Sequence, residues 1–178
     1  SANFLRRSVH FLENHDEPRV ASLLPLEKHK AAASLLLFLP GMVLLHEGQL
    51  EGRRQFARIQ MSKRAEEDAD PVIGAFYEEL LAAIQKTHVR RGVGTVLSAG
   101  GPVIVVKWEG PEKETDFALV NLETRDEAIT WAEMPGGSAP GETALLYHTS
   151  TGPPQVKNGK ITLPAQSTCI LRAKAGKV

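Results

Sequence analysis

Phe11-Leu12-Glu13-Asn14-His15-Asp16 passes from an apolar run into three consecutive polar residues. Together with Val9 and His10, residues 9–13 read as a short, mostly apolar strand, the pattern of a strand covered on both faces. In an α/β barrel, residues at the C-terminal ends of strands face the cleft. Asn14, His15 and Asp16 stand at such an end and are the candidate site residues.

The sequence on the C-terminal side fits that placement. Residues 26–39 predict a helix: Glu27 lies in the first turn, and Lys28, Ala31, Ala32, Ala33, Leu35, Leu36 and Leu37 are good helix formers. Pro40-Gly41 ends it, because proline cannot continue a helix and glycine takes positive φ cheaply. Met42-Val43-Leu44-Leu45-His46 is a second short apolar strand. Asp70 followed by Pro71 marks a helix start, and Phe76, Leu80, Leu81 and Ile84 then recur at helical spacing. Strand, helix, strand, helix predicts a parallel sheet with helices outside, in which strands 9–13 and 42–46 are neighbours joined through helix 26–39.

Beyond Arg90 the period changes to two. Short β-rich runs occupy residues 94–97, 103–108, 117–121, 128–131, 143–148, 159–163 and 167–171. The turn signals Gly100-Gly101-Pro102, Glu109-Gly110-Pro111, Pro135-Gly136-Gly137, Gly152-Pro153-Pro154 and Asn158-Gly159 separate them. Short, regularly spaced strands with Gly/Pro turns predict an antiparallel sandwich. The expected fold class is α/β followed by all-β. Residues 1–88 form one unit and 89–178 the other, and His88, Arg90 and Arg91 lie in the linker.

The ordered motifs resemble the α-amylase family, glycoside hydrolase family 13. Asn14-His15-Asp16 after its strand is similar to that family's fourth conserved region. Pro40-Gly41 leading into Met42–Val43, Leu44, Leu45 and then His46-Glu47-Gly48-Gln49 is similar to its last barrel strand. Phe76-Tyr77-Glu78-Glu79-Leu80 resembles its final barrel helix, and residues 158–167 resemble the last strands of its C-terminal sandwich.

The resemblance implies an incomplete (β/α)8 barrel end, two parallel strands with helices, followed by the antiparallel β-sandwich. It implies a retaining α-glucan-active hydrolase or transglycosylase, with an α-glucan or maltooligosaccharide as substrate. Retention needs a nucleophile and an acid/base carboxyl about 5–5.5 Å apart. The family adds a third carboxylate that favours the distorted sugar, and by position Asp16 is that transition-state stabiliser. His15 and Asn14 are implied as substrate-binding neighbours. Arg19, three residues beyond Asp16, reads either as its support through a charge-assisted bond or as a surface residue.

The nucleophile and acid motifs do not occur in the 178 residues, so the chain is expected to be inactive alone and to need the rest of its barrel. Without it, exposed barrel strands are expected to drive self-association. The chain departs from the family where His46 replaces an aromatic residue and where Glu51 lies one residue beyond the usual acid. No role is transferred to Glu51. No cofactor is expected in this part, and calcium is left to the part outside it. The rival reading is a carbohydrate-binding or interaction module without catalysis.

Bulk composition narrows the partners. Lys plus Arg total 21 and Asp plus Glu total 21, so no basic surplus invites nucleic acid or an acidic membrane surface. No apolar run approaches the roughly 18 residues of a membrane span. The lone Cys169 reads as a small core residue and fits a reducing, cytoplasmic compartment. The opening Ser-Ala-Asn, without a signal-peptide pattern, reads as the start of a piece of a longer chain. His46 and Glu47 point to opposite strand faces and are expected at a polar rim, not as a metal pair. Arg53, Arg54, Lys63 and Arg64 interleave with acids and predict a solvated face. Trp108 and Trp131 lie in strand patterns and are assigned to the core.

Overall fold

Glycine at position 41 fixes how the first two strands meet. The computed structural model describes residues 2–56, 63, 66–98, 101–134 and 142–174. Helix α1 (Ala2–Arg6) leads into strand β1 (Val9–His10); the short helix α2 (Val20–Leu23) and the longer α3 (Leu26–Phe38) precede strand β2 (Met42–Val43). Leu39 is extended, as a residue before proline must be, and Gly41 turns the chain at φ +125°. A Cβ on Gly41 would lie 2.5 Å from the Leu5 carbonyl oxygen and 2.8 Å from that of Ser8, so only glycine fits. The turn lays β2 beside β1 in parallel, with Val9 opposite Met42 and His10 opposite Val43.

The predicted neighbour relation therefore holds, but each strand is two residues long rather than five. The expectation of cover on both faces is corrected. Leu12, Val43 and Leu45 pack against the core, whereas Val9, Phe11, Met42 and Leu44 are 42–67% exposed. Strand alternation sends one set to the helices and the other to an open face.

Helix α4 (Pro71–Gln85) begins where the sequence places it. The Asp70 carboxylate accepts from the Val72 and Ile73 amides at 3.0 and 3.3 Å. The strands that follow are β3 (Val93–Ser98), β4 (Val103–Glu109), β5 (Glu114–Asn121), β6 (Glu127–Thr130), β7 (Glu142–His148), β8 (Gln155–Lys157), β9 (Lys160–Leu163) and β10 (Ser167–Lys174). A five-stranded antiparallel sheet has the order β3-β4-β5-β10-β7, and a three-stranded one the order β6-β9-β8. Strand β8, α1 and α2, of three, five and four residues, are too short to register as periodic segments. Asn158 and Gly159, both at positive φ, close the β8–β9 hairpin. The Pro135-Gly136-Gly137 turn and Gly100 lie outside the described residues.

The central strands of the five-stranded sheet are buried on both faces, so β5 reads as a continuous apolar run, whereas the edge strand β7 is largely exposed. Val106, Trp108, Ala118 and Ile170 face the helices, where they meet Ala33, Phe38, Tyr77 and Leu80. Val105, Leu119, Cys169 and Leu171 face the small sheet and pack with Ile129, Ile161 and Leu163. The helices and the sandwich thus share a core. The carbonyls at the end of α3, which no helical amide can reach, are satisfied from the other half: Trp108 Nε1 donates to Phe38 O at 2.8 Å and Arg90 to Leu37 O at 3.0 Å.

The segment between α4 and β3 is equally tied. Asp116, fully buried, accepts from both Arg172 Nε and Nη2 and from the His88 amide. Trp131 opens a 3-10 turn rather than ending a strand, and stays buried, 5.7 Å from Phe117 edge to face. Among the described residues no helix is long and apolar enough to cross a membrane.

Candidate functional site

The parallel pairing sends the chain away from β1 and β2 at the same edge of their sheet. Residues 14–19 follow the first strand and 46–55 the second, and both segments converge on Glu13. A carboxylate inside an apolar strand run must be satisfied when buried, and Glu13 is fully buried. Its Oε2 accepts from the Val20 amide at 2.7 Å, and its Oε1 from Arg19 Nη1 at 2.7 Å. The loop 14–19 is therefore closed at its base by one side chain.

Arg19, only 2% exposed, also joins the second segment. Nη1 reaches His46 Nδ1 at 2.8 Å and the Glu47 carbonyl at 2.6 Å, sharing two hydrogens among three acceptors, while Nε donates to Gln55 O at 3.3 Å. The expected support of Asp16 by Arg19 is thus corrected. The guanidinium has left water and pairs with the carboxylate that has also left it, not with one that water already solvates.

Asp16 stands at the tip of the loop with a side chain 78% exposed, and His15 Nε2 lies 3.1 Å from its Oδ2. Asn14 Oδ1 accepts from the Asp16 amide at 2.7 Å and the Glu17 amide at 3.1 Å. Asn14 therefore shapes the turn that presents Asp16. It caps no helix, since α2 begins only at Val20. The structure brings Asn14, His15 and Asp16 together on one turn and places Arg19 beneath it.

Below the loop a polar chain continues inward. The His46 amide donates to Gln49 Oε1 at 3.3 Å, Gln49 Nε2 donates to Tyr77 OH at 2.9 Å, and His29 Nε2 lies 3.0 Å from the same hydroxyl. Since Tyr77 OH accepts from Gln49, it has its own hydrogen to give to His29. Burial pushes the Tyr77 phenol up to about 12 and holds His29 below its ordinary value. Sequence reading missed Glu13, Gln49 and His29. The available signal was a charged residue closing an apolar run, which calls for a partner if it is buried.

Arg54 is tethered rather than simply solvated, donating to Ala21 O at 2.6 Å and to Asp70 Oδ2 at 3.1 Å. Among the described residues no three His, Cys, Asp or Glu side chains group to hold a metal ion. A cavity of about 800 Å³ lies elsewhere, between α4 and the end of β7, and none of its lining residues belongs to the cluster around Glu13.

No family model and no curated protein matches the sequence. Solved structures do match in three dimensions. The alpha-amylase from H. orenii is 22% identical with a TM-score of 0.68, and the match covers 94% of this chain and 40% of that one. A Nostoc punctiforme debranching enzyme is 23% identical with a TM-score of 0.68, over 96% of this chain and 34% of that one. An Anoxybacillus alpha-amylase is 19% identical with a TM-score of 0.72, over 97% and 39%. The chain thus spans well under half the length of each. The likeness establishes the fold, that of the C-terminal part of α-amylase-type enzymes.

Proposed function

We propose that this chain is the C-terminal part of a retaining α-glucan-active glycosidase or transglycosylase of the α-amylase type. In this reading residues 1–88 are the end of its (β/α)8 barrel and residues 89–178 its β-sandwich. The observation that carries the reading is the turn 14–17, set at the end of a parallel strand pair and presenting Asp16 to solvent over a buried Glu13–Arg19 base. The fold likeness to amylases and a debranching enzyme supports it.

Asp16 and His15 bind hydroxyls of the reacting sugar. Such contacts accelerate the reaction only in so far as they strengthen as the ring flattens toward an oxocarbenium ion. The nucleophile and the acid/base come from barrel strands upstream, so the 178 residues alone hold substrate without cleaving it. The open face of Val9, Phe11, Met42 and Leu44 is the side that the remaining strands would cover.

Two measurements test this. In the full-length enzyme, Asp16→Asn is expected to lower kcat on maltoheptaose by about 10²–10³-fold, the scale of losing one group that stabilises transition-state charge. The isolated chain is expected to show no turnover of maltoheptaose. Turnover by the pure chain that disappears in Asp16→Asn would refute the division of labour, and wild-type turnover by the full-length Asp16→Asn enzyme would refute the role of Asp16.

A further inference from the structure

We infer that His46 is a hydrogen-bond donor to the sugar in the same site, oriented by Arg19, which Glu13 holds in place. The inference rests on the proposed glycan site and adds to it a residue on the second segment.

The argument starts from a guanidinium that can only donate. Arg19 Nη1 lies 2.8 Å from His46 Nδ1, so Nδ1 presents its lone pair. A proton on Nδ1 would set donor against donor at that distance. Nδ1 therefore serves as the acceptor for Arg19, and the ring's outward donor is Nε2.

Among the described residues His46 Nε2 has no hydrogen-bond partner, and the side chain is 22% exposed. Glu13 and Arg19 are shut away from solvent, at 0% and 2%. The cluster reaches solvent through the His46 ring and through the Glu47 side chain, at the edge where Asn14, His15 and Asp16 also emerge. A buried ion pair thus engages the Nδ1 side of the ring and leaves Nε2 to donate, at the end of the strand pair from which the loop carrying His15 and Asp16 also departs. Donor and acceptors in that setting suit a neutral polyhydroxylated ligand such as an α-glucan.

Two substitutions separate this role from a merely structural one. His46→Asn keeps an acceptor near the position of Nδ1, so Arg19 stays satisfied, but removes the outward donor. His46→Gln keeps an amide nitrogen near the position of Nε2 but removes the acceptor for Arg19. Measured on maltoheptaose in the full-length enzyme, His46→Asn is expected to raise KM about three- to tenfold, the size of one neutral hydrogen bond. His46→Gln is expected to stay closer to the wild-type KM while melting at a lower temperature. The opposite order, or equal KM values for both variants, overturns the assignment. Asp16→Asn, run beside them, keeps the two readings apart. If it leaves turnover intact, the sugar site is misplaced and the His46 role falls with it. If it abolishes turnover while His46→Asn matches the wild type, the His46 role alone falls.

Discussion

Glu13 and Asp16 lie three residues apart and answer to opposite physics. Glu13 is fully buried and holds both Arg19 and the Val20 amide, whereas the Asp16 side chain is 78% exposed with His15 beside it. Glu13→Gln keeps the shape but leaves the Arg19 guanidinium buried without a counter-charge, a change that costs about 3–5 kcal/mol. Asp16→Asn alters a solvated surface group and is expected within about 0.5 kcal/mol of the wild type. Urea unfolding of the two variants of this chain checks the contrast, and comparable losses would mean that the loop is held by something other than Glu13. The turn was legible in the sequence because Asn14, His15 and Asp16 are consecutive. Its base was not, because the pairing of Glu13 with Arg19 depends on the chain doubling back, which no local pattern encodes.

Helices α3 and α4 were legible nearly to the residue, since Pro40 stops one and Asp70-Pro71 starts the other. What joins them was not legible, because Gln49, Tyr77 and His29 meet across separations of 28 and 48 residues. Tyr77→Phe keeps the ring that packs 4.9 Å from Phe76 but orphans the buried Gln49 amide, and is expected to cost about 1–3 kcal/mol. His29 sets a pH dependence on the same element. Its ordinary value is 6.5, and burial lowers it in the fold, against an opposing pull from Glu13. The unfolded chain therefore takes up a proton that the folded chain refuses. Stability from this group is fully present above 6.5 and declines as pH falls below it toward the folded value. Urea midpoints taken between about pH 7.5 and 5.5 should fall on the acid side, and His29→Gln should flatten that part of the curve. An unchanged slope would mean that His29 binds protons equally in the folded and unfolded chain.

At the scale of the whole molecule, one half of the fold is covered and the other is not. The five-stranded sheet lies between the helices and the small sheet, and its central residues Val105, Val106, Ala118 and Leu119 have no exposed surface. The pair β1–β2 has cover on one side alone. Val9, Phe11, Met42 and Leu44 stand open at 48%, 46%, 67% and 42%, with Phe4 at 70%. A two-stranded sheet also leaves backbone donors and acceptors unpaired along each outer edge. Soluble monomers rarely expose contiguous apolar patches beyond a few hundred Å², so this face is expected to recruit cover from a second copy of the chain. Sedimentation velocity at low micromolar concentration should show mass rising with concentration. Val9→Lys with Met42→Lys places two charges on opposite members of one register pair, facing the open side. That double variant should return the chain to a monomer while leaving the sandwich strands unchanged in amide exchange. A wild-type chain that sediments as a monomer at every concentration, with the Met42 amide still protected by Ser8 O, would mean that the parallel pair is stable without cover and that the open face is not an interface.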